Sequence, residues 1–184
     1  MARVRTLTMA ALSVAALGLA GCSSSSSSPS TTTSPSSTAA SPSTTAAPAV
    51  PIPAADLSPA GTAGTAPTVV VPSGTPPTSL ESADLITGTG PAAKAGDSVT
   101  VQYVLATYSS GKTIQSSWTS QPFTFTLGAG QVIPGWDQGV VGMQVGGRRE
   151  LIIPPNLGYG SNSPGAGIAV NDTLVFVVDL LKIN

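Results

Sequence analysis

From Ser23 to about Ala66 the sequence is almost entirely Ser, Thr, Pro and Ala, with no aromatic residue and scarcely a large aliphatic one. Such a tract cannot bury enough apolar surface to offset the entropy of ordering it. Residues 22–66 therefore read as a disordered linker, and any packed fold is confined to 67–184. At roughly 3 Å per residue when extended, the linker would reach on the order of 100 Å.

What precedes the linker is of another kind. Arg3 and Arg5 lead into an apolar run from Leu7 to Ala20 that ends in Leu19-Ala20-Gly21-Cys22. The run is about the length of a signal-peptide core and too short for a comfortable membrane span. It resembles the lipobox of bacterial lipoproteins, in which the cysteine takes a diacylglyceryl group and the chain is cut before it. Residues 1–21 are thus expected to be a lipoprotein signal peptide and Cys22 the lipidation site. Several acyl chains on one residue would hold the protein stably on the outer face of the bacterial cell membrane.

Charge and residue types exclude several chemistries. Between Arg5 and Glu81 the only charged residue is Asp56, and the formal net charge is −1. Without a basic patch to neutralise phosphates, nucleic acid is not an expected partner. The chain has no histidine and a single cysteine. This removes Ser-His-Asp and Cys-His nucleophile pairs, His-ligated zinc and any intrachain disulfide, and neither a metal nor a cofactor is expected.

Apolar periodicity begins only after Thr68, and it is mostly period two. Val99, Val101, Tyr103 and Leu105 form one row, Phe123, Phe125 and Leu127 a second, and Leu174, Phe176, Val178 and Leu180 a third. Arg149 to Ile153 and Ala83 to Thr87 are further strand candidates. The near-continuous apolar run from Leu174 to Leu181 suits a central strand buried on both faces. The expected architecture is α+β, an antiparallel half-barrel of about five strands with one short helix covering its apolar face.

That helix is expected within Gly128 to Met143. Pro134 suits a first helical position, Asp137 lies near the positive end of the helix dipole, and Trp136, Val140 and Met143 recur at helical spacing. A Trp so placed is ordinarily core. Beside free backbone N–H groups at a helix start, the same ring could instead floor an apolar pocket with a donor at its rim. Pro154 to Ile168 is too rich in Gly, Pro and Asn for a regular element, so it reads as a long loop. Its large side chains, Leu157, Tyr159 and Ile168, either plug it into the sheet or line a site.

Taken in order, Val101-Gln102-Tyr103, Ser116-Ser117, Pro122-Phe123, Val132-Ile133-Pro134-Gly135-Trp136, Gly158-Tyr159-Gly160 and Thr173-Leu174-Val175-Phe176 resemble FKBP-type peptidyl-prolyl isomerases, collinearly from about Leu80 to Asn184. Residues 67–79 look like the lead-in of actinobacterial secreted members. The resemblance implies a proline pocket lined by Tyr103, Phe123, Val132, Ile133, Trp136, Tyr159, Ile168 and Phe176. Trp136 would lie under the pyrrolidine ring, with the Ile133 N–H and the Tyr159 hydroxyl as donors to substrate carbonyls. The family's usual Phe-Asp before the Ser-Ser pair is Ile114-Gln115 here, which puts a neutral amide where a carboxylate would orient the Tyr103 hydroxyl. The implied activity is isomerisation of X–Pro bonds in exported polypeptides by a monomer. The alternative is a weakly active or inactive proline-binding or chaperone module at the cell surface.

Overall fold

The structure, a computed structural model, describes residues 48–184. Seven strands and one helix follow in order: β1 (Val50–Pro51), β2 (Glu81–Ile86), β3 (Ser98–Thr107), β4 (Thr113–Ser116), β5 (Phe123–Thr126), α1 (Pro134–Gly139), β6 (Arg148–Ile153) and β7 (Leu174–Ile183). They form one sheet in the order β1-β2-β6-β7-β3-β4, with β5 also paired to β3. Only the β1–β2 pair is parallel.

The five expected strands are present, and β7 is central, buried from Leu174 through Leu180. Two strands were not foreseen. β1 is two residues long, and β4 carries a bulge that breaks the period-two signal: Leu105 faces Gln115 and Ala106 faces Thr113, so Ile114 is an extra residue.

Side chains alternate cleanly across the sheet. Leu151 and Ile153 on β6, with Leu174, Phe176, Val178 and Leu180 on β7, face α1 and join Val99, Val101, Leu105, Trp136, Val140 and Met143 in the main core. The helix is shorter than the apolar spacing suggested. It ends at Gly139, with Val140 as C-cap, and Met143 is buried in the turn beyond it. α1 lies directly on β6 because Gly135 and Gly139 present bare backbone to it. A Cβ at Gly135 would come within 2.5 Å of Ile153, and one at Gly139 within 2.6 Å of Leu151. Arg149 fixes the far end of the helix, donating to the carbonyls of Gly139 and Val141.

The opposite face of the sheet corrects the expected linker. Residues 48–66 are packed onto the sheet, not left free of it. The Val50 N–H donates to the Leu80 carbonyl, and Ile52 is buried against Ile152 and Val175. The Ser58 N–H and hydroxyl donate to the two carboxylate oxygens of buried Glu150, both at 2.8 Å. Buried Arg148 pairs with Asp179 and also donates to the carbonyls of Ala60 and Thr65. A segment poor in apolar side chains is thus ordered by strand pairing and by the buried charges it satisfies. The expected signal peptide, Cys22 and the linker up to residue 47 lie outside the described residues.

Candidate functional site

Trp136 stands in the first turn of α1, with only 4% of its surface exposed. Three aromatic rings meet it edge to face: Phe176 with centroids at 5.2 Å, Tyr103 at 5.3 Å and Phe123 at 6.2 Å. Phe125 lies tilted at 5.6 Å and stacks on Phe123. Edge-to-face pairs stabilise by about 0.5–1.5 kcal/mol each beyond their buried area, so the box is stiff. Over it opens a cavity of about 400 Å³ lined by Tyr103, Gln115, Phe123, Gln131, Val132, Ile133, Trp136, Tyr159 and Phe176.

Each wall has a separate origin. Tyr103 comes from β3 and Phe176 from β7, adjacent strands whose inward residues converge on Trp136. Ile133 is the N-cap of α1, its carbonyl accepting from Trp136 and Asp137. An N-cap N–H has no acceptor within its own helix, which leaves that donor available. Tyr159 arrives from the loop after the short turn Pro155–Leu157. Burial raises the Tyr103 pKa above its ordinary value, and nearby Tyr159 adds to the rise. At neutral pH the Tyr103 hydroxyl is therefore a proton-bearing donor.

Of the ten pocket residues singled out in the sequence, eight line this cavity: Tyr103, Gln115, Phe123, Val132, Ile133, Trp136, Tyr159 and Phe176. Ile168 is instead buried in the main core, and Ile114 packs against that core from β4. The bulge at Ile114 is what turns Gln115 to the cavity side. Gln131 was not foreseen. No periodicity marks it, and it reaches the lining through the loop that delivers α1.

The lining carries no carboxylate, amine, imidazole or thiol. Its resources are an aromatic floor, two phenol hydroxyls, a backbone N–H and two carboxamides. That set can hold an uncharged cyclic side chain and donate to flanking carbonyls. It has no acid, base or nucleophile strong enough to break a bond. Among the described residues, no group of three His, Cys, Asp or Glu is placed to hold a metal ion.

Comparison with known proteins points the same way. The family profile described as FKBP-type peptidyl-prolyl cis-trans isomerase matches residues 90–181. An FK506-binding protein of Streptomyces anulatus is 52% identical over 119 residues, covering 64% of this chain and 96% of that protein. FK506-binding protein 2B of Rhizopus delemar is 51% identical over 89 residues, covering 48% of this chain and only 43% of that protein. Among solved structures, AtFKBP13 matches with a TM-score of 0.53 and 33% identity, over 59% of this chain and 96% of that one. FkpA from Escherichia coli matches with a TM-score of 0.52 and 39% identity, over 58% of this chain and 49% of that one.

Proposed function

The chain belongs to the FKBP-type peptidyl-prolyl cis-trans isomerases, and from that membership we propose how it turns X–Pro bonds and where it does so. Rotation about an X–Pro bond breaks no covalent bond, yet the planar amide resists it by about 18–20 kcal/mol. Halfway round, the C–N bond loses its resonance and the carbonyl its polarity. A water-poor aromatic slot favours that less polar, twisted amide over either flat isomer. Acceleration of about 10⁴-fold needs only about 5–6 kcal/mol of such preference.

In this reading the pyrrolidine ring lies on Trp136 between Phe123, Val132 and Phe176. The Ile133 N–H and the Tyr159 hydroxyl hold the carbonyls on either side, and Tyr103 and Gln115 face the rotating carbonyl. Ile114 and Ile168 support these walls from behind. The observation that carries the reading is an aromatic cavity floored by Trp136 with no charged side chain in its lining. In a protease-free isomerisation assay on residues 48–184, cis–trans exchange of an Ala-Pro or Phe-Pro peptide should run well above background. Trp136→Leu, checked for folding by circular dichroism, should return it to background. A folded Trp136→Leu protein as active as the parent would refute the reading.

The substrates we propose are proline-containing segments of exported polypeptides, met by a monomer held at the outer membrane face through Cys22. The apolar run after Arg3 and Arg5 and its Leu-Ala-Gly-Cys ending support this placement. In a host that processes lipoproteins, Cys22→Ser should move the protein from the membrane fraction to the soluble one. Retention in the membrane would rule out that anchor.

A further inference from the structure

Two side chains clamp the loop that joins β5 to α1. The Asp137 carboxylate accepts the N–H of Gly128 at 2.8 Å and that of Gly130 at 3.0 Å. Gln131 accepts the N–H of Thr126 through Oε1 at 2.9 Å. A backbone N–H can only donate, so the oxygen end of the Gln131 carboxamide is committed to Thr126 by chemistry. The polar end left over is the NH₂, a pair of donors on a side chain already held in place.

The rest of the lining offers little competing discrimination. No lining residue carries a charge, so ionic side chains of a substrate meet no fixed counter-charge there. Gln115 is the other carboxamide, and among the described residues no hydrogen bond holds its amide, so it can turn either end to a ligand. Gln131 is biased; Gln115 is not. Gln131 is an exposed lining residue two positions before Ile133, so in the pose proposed above it would meet a residue flanking the proline.

We propose that Gln131 is a specificity-determining residue that selects X–Pro segments with a hydrogen-bond acceptor, a carboxylate or carboxamide, next to the proline, and disfavours Lys or Arg there. The proposal rests on the isomerase reading of the same cavity. The test is kcat/KM on two peptide series, one varying the residue before the proline and one the residue after it, each with Glu, Gln, Leu and Lys. Rates are normalised to the Leu peptide of the same protein.

With wild-type residues 48–184, Glu should exceed Lys at one of the two positions by about three- to tenfold, the size of one net hydrogen bond. Gln131→Glu keeps an oxygen for the Thr126 N–H but replaces both donors by an acceptor, so the Glu-to-Lys order should invert at that position. Gln131→Met should bring the ratio close to one. The same ratio in all three proteins at both positions would overturn the proposal while leaving the isomerase reading intact. Background rates on every peptide, Leu included, would overturn the isomerase reading and this proposal with it.

Discussion

Gln115 follows the bulged residue Ile114 on β4, is largely exposed, and lines the cavity. A carboxylate at this place would accept the Tyr103 hydroxyl as a charge-assisted hydrogen bond, roughly twice as strong as a neutral one. Gln115→Asp should therefore raise kcat/KM by about tenfold, since one polar contact of about 1–3 kcal/mol is worth one to two decades. Tyr103→Phe in the same background should cancel most of that gain; a gain that survives it would mean the carboxylate acts on substrate directly. Glu150 poses a different residue-scale problem, because it is fully buried on the other side of the sheet. Burial raises its pKa, the two Ser58 hydrogen bonds pull it back, and the Asp56 charge raises it again. A carboxyl whose folded pKa is raised contributes stability that is present below its unfolded value and is lost as pH rises through the folded value. The melting temperature should accordingly increase as pH falls from neutral toward the ordinary carboxyl range. Glu150→Gln should flatten that dependence, and an equally steep profile in the variant would assign the slope to other groups.

At the scale of elements, β6 is covered on both faces, with α1 on one and the arm of residues 52–66 on the other. Arg148 is 1% exposed and makes a two-pronged pair with Asp179 at 2.6 and 2.7 Å. Removing one member of such a pair leaves the other charge stranded, at about 3–5 kcal/mol, whereas apolar replacement of both is often nearly neutral. Arg148→Met should thus lower the unfolding free energy by about that much in urea denaturation, and adding Asp179→Leu should restore most of it. Deletion of 48–66 should lower the melting temperature, because Ile52, Ser58, Ala60 and Thr65 all pair with groups on the outer face of the sheet. These features also mark how far the sequence could be read. β3 and β7 were legible because each keeps a period-two row for a full strand, and α1 because Pro134 announces its first turn. β4 was not, since its extra residue destroys the alternation. The arm was not, because its anchors are polar pairings such as Ser58 with Glu150, 92 residues apart, which leave no local hydrophobic trace. Ile114 entered from resemblance alone and packs against the core, while Ile168, for which the loop's composition left plug and lining both open, is buried in it as a plug. Gln131 left no pattern at all, since its place depends on a clamp that exists only in the folded loop.

Taken whole, the molecule segregates its polarity by face. Among the described residues, buried Arg148, Asp179 and Glu150 lie on the outer side of the sheet and buried Asp172 in the turn before β7, each with its partners, while the cavity itself is lined by neutral groups only. The division suits the chemistry. A carbonyl that loses polarity on the way to the transition state is best met by apolar walls and a few fixed donors. It also separates what salt can influence from what it cannot. Ionic screening weakens interactions between exposed charges beyond a Debye length of about 10 Å at 0.1 M and about 3 Å at 1 M, but leaves a short hydrogen bond between fixed groups nearly untouched. For an uncharged X–Pro peptide, kcat/KM should therefore change by less than about twofold between 0.05 and 1 M sodium chloride. The Glu-over-Lys preference assigned to Gln131 should persist over the same range, because it is a hydrogen-bond preference and not an attraction between net charges. A preference that fades in step with salt would point to the surface field of the whole protein, net −1 over the full sequence, and would move the origin of selectivity out of the cavity.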